Sequence, residues 1–277
     1  MPSAGLSLVG FMDEPQAMNY LATACIPANP SPAGIRAEWD AARARRGPPI
    51  PGAGQPDIQD VPAADLPHIV ALQQEPWIAQ FLPAIPGAEF KLVEIDPLLA
   101  YQFSVDTTRS DHHCSTLPKP PSIADLLPVC LPMHRPSGEY HVNQLPHSVI
   151  IKSRSLNLMM MAAGIGPDMA GMNFGWSIPL LHVVRFNGRC YLHNGFHRAF
   201  GARLAGATHI PCIFRDVADA DSAGIKSDGS TFGLPLLQSN DPPTIGHFTN
   251  GFAHSVTLRA VTRILHVSWS SYAMYDE

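Results

Sequence analysis

The sequence predicts an α+β protein, a mixed sheet with helices packed against it and a helical extension ahead of it. Three observations lead there. Between residues 178 and 217 a strand, an Asn-Gly turn, a second strand, a helix and a third strand follow one another on short connections. Ahead of residue 90 the apolar residues recur at helical spacing in three separate stretches. Near the C-terminus "AHSVTLRAVTRILHVSWSSYAM" alternates apolar and polar side chains, which is the period of a strand.

Residues 14–24, "EPQAMNYLATA", have helical spacing. In "NPSPAGIRAEWDAARARRG", 29–47, Ser31 is the expected cap, Pro32 suits the first helical position, basic residues crowd the last turn and Gly47 is the expected stop. Arg43, Arg45 and Arg46 complement the negative end of that helix, with a phosphate-binding cluster as the alternative. "GPPIPGAGQP", 47–56, reads as a linker. A third helix is expected over 63–82, interrupted near Pro76. These stretches place a helical N-terminal extension with a Pro-rich linker over residues 1–89 and a core with C-terminal strands over 90–277.

Within the core, "FKLVEIDPLLAYQFSV" predicts a strand followed by a short helical or extended segment. Residues 107–147 are rich in Pro, His, Ser and Asp and read as a long loop region with a short helix at "SIADLL". "LNLMMMAAG" and "IPLLHVVRF" are apolar, strand-like runs, and Asn187-Gly188 in "FNGRCYL" signals a type I′ hairpin. A helix closed by Gly206 and the strand "HIPCIFRDV" follow. The alternating tail predicts two closing strands, a helix over "SVTLRAVTRIL" being the alternative.

Composition narrows the function. The chain has 277 residues, 45% of them hydrophobic and only 15% charged, enough to bury a full core under a sparsely charged surface. A net charge of −5 supplies no global field for nucleic acid, so a DNA partner is not favoured. Five scattered cysteines without C-x-x-C spacing read as reduced thiols, and neither a signal segment nor a membrane-spanning run is present. The expectation is a cytoplasmic protein with no membrane partner.

One stretch carries chemistry: "LHNGFHRAFGARLAGATHIPCIF", 192–214. A helix start exposes unpaired N–H groups and the positive end of the macrodipole and so prefers acidic residues, yet here the first turn holds His197 and Arg198. Five arginines and no acidic side chain lie between Arg185 and Arg215. Gly195 permits close backbone approach, Arg198 has the fork to clasp a phosphate, and His197 is a further donor. A phosphoryl ligand would offset both the dipole and the arginines. The alternative is local packing of His197, with the arginine stems lying along apolar surface.

"GRCYLHNGFHRAFGARLAGATHIPCIF" resembles the hairpin–helix–strand signature of the ParB/sulfiredoxin superfamily. There a strand ends in a Gly-x-x-Arg box and an Ala/Leu-rich helix runs on to "G…IPV". The likeness extends more loosely over residues 90–217, with "LVEIDPLL" resembling the family's first strand and turn. It implies a ParB/sulfiredoxin-like core that binds a nucleotide, ATP or CTP with Mg²⁺. The implied chemistry is hydrolysis, or phosphoryl transfer to an unidentified small-molecule or protein acceptor. Gly195 and Arg198 match the box's pair and His197 the histidine of several of its forms, so Asn194, Gly195, Phe196, His197 and Arg198 are the implied cofactor-binding positions. Phe196 stands where sulfiredoxins have cysteine and the CTP clamps glutamate, and Asn194 where kinase-like members have aspartate. The resemblance therefore carries phosphate contact further than any one reaction. No helix-turn-helix follows, so the DNA clamp lacks its reader. A non-catalytic DNA-associated or protein-interaction module is the alternative function.

Glu94 resembles in position the strand carboxylate that kinase-like members use as base, which makes Glu94 and His197 the candidate catalytic residues. Asp96, two positions on, would share a face with Glu94 on a regular strand, a pairing that suits Mg²⁺ or a substrate hydroxyl. The alternative is a solvated face with Asp96 capping the turn at Pro97. The run Asp111, His112, His113, Cys114 is consecutive, so its side chains diverge and supply at most two metal ligands. His134, His141 or His147 would have to complete a site, and a polar surface loop is the preferred reading.

Overall fold

The computed structural model describes residues 1–134, 138–155, 158–165, 170–176, 179–226 and 228–270. Its contacts divide the chain into two units, Met1–Met133 with Pro179–Arg259, and His134–Ile178 with Ala260–Glu277.

The first unit begins with β1 (Ser3–Ser7), α1 (Glu14–Thr23), α2 (Pro32–Arg45), β2 (Ile58–Asp60), α3 (Leu66–Gln74), α4 (Pro76–Phe81), β3 (Glu89–Glu94), β4 (Ser104–Asp106), α5 (Thr107–Cys114) and α6 (Ile123–Cys130). The second unit supplies β5 (His141–Leu145), β6 (Ser148–Ser153), β7 (Leu158–Ile165) and β8 (Ala170–Trp176). The chain returns to the first unit with β9 (His182–Phe186), β10 (Arg189–Asn194), α7 (Phe196–Leu204), β11 (His209–Asp216), α8 (Leu234–Leu237), α9 (Ile245–Thr249) and β12 (His254–Leu258). It closes in the second with β13 (Arg263–Ser268). The architecture is mixed α+β. Among the described residues no helix is long and apolar enough to cross a membrane.

Local chemistry explains the helices foreseen from sequence. Asp13 caps α1 by accepting from the Gln16 N–H at 2.9 Å, and Ser31 caps α2 by accepting from the Gly34 N–H at 3.1 Å, with Pro32 at the first position. Gly47 lies just past α2 without a left-handed backbone; its bare Cα is needed because the Phe252 ring sits where a Cβ would go. The stretch 63–82 forms α3 and α4, broken at Glu75 because Pro76 has no N–H to continue the ladder.

Residues 1–89 also contribute strands to both sheets of the first unit. One sheet has the order β12-β1-β4, the other β10-β9-β11-β3-β2. β1 pairs with β12 antiparallel from Ser3 opposite Leu258, and β2 pairs with β3 from Ile58 opposite Val93. The Pro-rich stretch 47–56 is irregular yet stitched in: the Gly54 N–H donates to the Pro97 carbonyl at 2.7 Å, and its carbonyl accepts from the Cys190 N–H at 2.9 Å. Leu92, Val93, Ile95, Leu192 and Ile210 are buried in this core.

The region 107–147 is more regular than its composition suggests. Asp106 caps α5 by accepting from the Arg109 N–H at 3.2 Å, and Ser110 and Cys114 form its buried face. That face meets Gly201 of α7, where a Cβ would lie 2.6 Å from both Ser110 Oγ and Cys114 Sγ. Small polar residues four apart carry this packing, so no large apolar stripe announces the helix. α6 carries a capping box between Ser122 and Asp125, as "SIADLL" suggests, and runs on to Cys130.

The Asn187-Gly188 turn between β9 and β10 has both φ values positive, 48° and 72°, as a type I′ hairpin requires. In the second unit, β13-β6-β5 form an antiparallel sheet and β7-β8 a hairpin. The tail forms two strands, as its alternation predicts, one in each unit.

Candidate functional site

β10 ends at Asn194 after a register irregularity against β9, and the chain turns into α7 through Gly195 at φ 101°, ψ 24°. Only glycine fits comfortably there: the conformation is left-handed, and a Cβ would lie 2.8 Å from Leu181 Cγ. No side chain among the described residues caps α7, and its first turn holds no acid. The leading amides of α7, at Phe196 and His197, thus retain the unmet donor capacity of an uncapped helix start.

The side chains around them are mostly committed inward. Asn194 Nδ2 donates to the Leu180 carbonyl at 3.0 Å, and Phe196 is buried with its ring edge-on to Tyr101 at 5.4 Å. Arg198 is buried too. Its Nη1 donates to the carbonyls of Val129 at 3.3 Å and Cys130 at 3.2 Å, and also to that of Pro179. Val129 and Cys130 end α6, so the guanidinium serves as that helix's C-terminal cap and meets its negative dipole end. Burial lowers the Arg198 pKa against the opposing influence of the Cys130 and Cys114 thiols, and no carboxylate partners it among the described residues. His197 is half-buried. Burial first, and the positive charge of Arg109 next, push its pKa down to about 4, leaving a neutral imidazole at neutral pH.

The acids expected to work with this box lie at the other end of α7. Asp96 sits in the turn after β3, and Arg203 in the last turn of α7 clasps both its oxygens at 2.9 Å. Arg203 lies eight positions beyond Gly195, roughly 12 Å along the helix axis. Glu94 ends β3 opposite His209 and accepts from the Asp57 N–H at 3.1 Å. The two carboxylates do not share a strand face, because β3 ends at Glu94 and Asp96 turns away to Arg203. Each carboxylate has its own partner here, Asp96 the Arg203 guanidinium and Glu94 the Asp57 N–H. Among the described residues no three His, Cys, Asp or Glu side chains gather as a metal site. The run 111–114, read as loop, lies on the last turn of α5.

A cluster that the sequence reading passed over lies just ahead of the box. The Leu99 N–H donates to the Cys190 carbonyl and its carbonyl accepts from the Leu192 N–H, both at 3.0 Å, so the segment after β3 runs along the outer edge of β10. It sets Tyr101 beside His193, whose carbonyl accepts from Tyr101 Oη at 2.5 Å. The His193 ring stands edge-on to that of His182 at 4.9 Å, and Nδ1 of His193 meets the Ala223 carbonyl at 3.3 Å. Burial, then His193 and Arg215, push the His182 pKa down to about 3. Within "IPLLHVVRF" the histidine looks like a polar interruption of a strand; its inward register was the only available sign.

Set against known proteins, the chain matches no family model, no curated protein and no solved structure.

Proposed function

We propose that the start of α7 binds the phosphates of a nucleotide, ATP or CTP, within a ParB/sulfiredoxin-like core, and that the chain hydrolyses it or transfers its phosphoryl group to a small-molecule or protein acceptor. The observation supporting this reading is the uncapped, acid-free helix start behind the left-handed Gly195, backed by a buried guanidinium with no carboxylate partner among the described residues. The amides of Phe196 and His197 hold the phosphate oxygens, and the neutral His197 offers a further hydrogen bond from the rim. Arg198 contributes a fixed positive charge from its seat against α6 rather than a two-pronged clasp, because its Nη1 is already committed to carbonyls. Mg²⁺ belongs to this reading only as the nucleotide's own counter-ion, since Asp96 is taken by Arg203. A reducing, cytoplasmic setting belongs to the same proposal and suits five buried free thiols.

The test is ligand-induced stabilisation, with amide chemical shifts followed at residue resolution. ATP or CTP with Mg²⁺ should raise the melting temperature and shift the Phe196 and His197 amides, and His197→Ala should weaken the effect. A melting temperature unmoved by every nucleotide overturns the reading. Salt-dependent binding to a DNA duplex would replace it with the DNA-associated module.

A further inference from the structure

Two histidines and an arginine meet on one face of the five-stranded sheet with no acid among them. Partnered residues of neighbouring strands project to one side, so His182, opposite Ile213, and Arg215, two residues beyond Ile213, share a face. The β10 irregularity between Leu192 and Asn194 brings His193 to the same place, its ring 4.9 Å from that of His182. The Arg215 charge acts on both rings.

What makes this more than packing is unmet hydrogen bonding. His182 is 7% exposed, and its Nε2 is buried without a partner among the described residues. Arg215 Nε is buried and unpartnered as well. The one carboxylate next to it in sequence, Asp216, is turned to Arg185 at 2.6 and 2.9 Å. An imidazole can switch tautomer, but a guanidinium N–H can only donate, so the pair calls for an acceptor. Leaving such a buried donor unmet is unfavourable, and more so for a charged group. Gly224 packs closely on the His193 side: a Cβ there would lie 2.8 Å from Tyr101 Oη and 3.0 Å from His193 Nδ1.

We propose that His182, His193 and Arg215 form an oxyanion site that takes a phosphate or carboxylate group of a small molecule, separate from the amides at the start of α7. One cation and the His182 imidazole donor, with the His193 ring lining the site and its own Nδ1–H given to the Ala223 carbonyl, suit a single negative group, and no carboxylate joins them among the described residues. Arg215 is half-buried, so the cluster is not sealed off from solvent on its side. A carboxylate-bearing acceptor and a free phosphate share this chemistry, and the probes below separate them. The inference stands independently of nucleotide binding.

The experiment is a titration of the full chain with inorganic phosphate and, separately, with acetate, at ionic strength matched by chloride. Imidazole resonances are assigned with His182→Asn and His193→Asn. Saturable shifts of the His182 and His193 rings, with a rise in melting temperature, are expected from one or both probes; the stronger identifies the group. Arg215→Gln should fold as stably as the parent and weaken binding about tenfold or more. Arg215→Lys, which keeps the charge and loses the Nε donor, should also bind more weakly and serves if the Gln variant does not fold. Rings that stay unmoved by both probes, or Arg215 variants that respond like the parent, overturn the proposal. Shifts confined to the Phe196 and His197 amides also overturn it, while leaving the nucleotide reading intact.

Discussion

Arg203 and Asp96 tie the last turn of α7 to the turn after β3 through two hydrogen bonds of 2.9 Å each. Thr249 Oγ1 adds a third approach to Asp96 at 3.4 Å, and the Gly246 N–H donates to the Asp96 carbonyl at 3.0 Å, so α9 is drawn into the same junction. Both charged side chains are more than two-thirds buried, their exposures being 29% and 25%. Asp96→Asn should therefore destabilise the chain by about 1–2 kcal/mol, more than a solvated ion pair would. Urea denaturation of the parent and the variant measures it; an unchanged midpoint would show the pair to be ornamental.

Arg198 is expected to matter for folding before it matters for any ligand. Arg198→Met leaves the carbonyls of Pro179, Val129 and Cys130 without their donor and should cost about 2–4 kcal/mol. Arg198→Lys should recover only part, since one ammonium lacks the planar fork. Thermal melts without ligand decide this. They also explain why His197, and not Arg198, is the variant of choice for testing nucleotide binding.

Gly195→Ala should destabilise by about 1–3 kcal/mol. The residue stands at φ 101°, and the added Cβ would meet Leu181 Cγ at 2.8 Å. Chemical denaturation checks it, and a neutral result would mean the turn relaxes without strain.

Stability should depend on pH through three histidines. Burial holds His182 at about 3 and His197 and His247 at about 4, against 6.5 for an unperturbed imidazole. Between about 4 and 6.5 the unfolded chain binds protons that the folded chain refuses. Stability is thus fully present above pH 6.5 and is lost progressively as pH falls towards 4. Denaturation midpoints measured through this window should fall with pH, and His247→Gln should flatten the slope. A midpoint independent of pH there would contradict the assignment of these rings as neutral.

Thiol reactivity should be low in the folded chain. All five cysteines are buried, and burial pushes Cys130 up to about 12 and Cys25, Cys114 and Cys190 up to about 11. Thiolate is the reactive form, so alkylation at neutral pH should proceed slowly until denaturant is added, when all five should label. Mass spectrometry counts the labels; rapid native labelling of any one cysteine would place it in a more open setting.

The elements legible in the sequence are those whose causes lie within a few residues. Ser31 with Pro32 specifies the start of α2 by an N-cap bond spanning three residues, and Asn187-Gly188 specifies the hairpin by two positive φ values. Gly195 marks the start of α7 for the same kind of local reason. α5 stayed hidden because its buried face is Ser110 and Cys114, packed on Gly201 of a helix nearly ninety residues away. β1 stayed hidden because its partner, β12, lies at the far end of the chain.

The site divides in the same way. From its own residues the sequence determined a helix start behind Gly195 that is rich in positive charge and free of acid, because residue type settles that locally. That no side chain among the described residues caps it was decided by the structure. Only the tertiary structure decided where each charge goes. Arg198 turns to the end of α6, Asp96 to Arg203, and Arg215 comes to share a sheet face with His182. A charged side chain takes its partner from whatever packing brings within a few ångströms, and that packing joins segments which no local pattern connects.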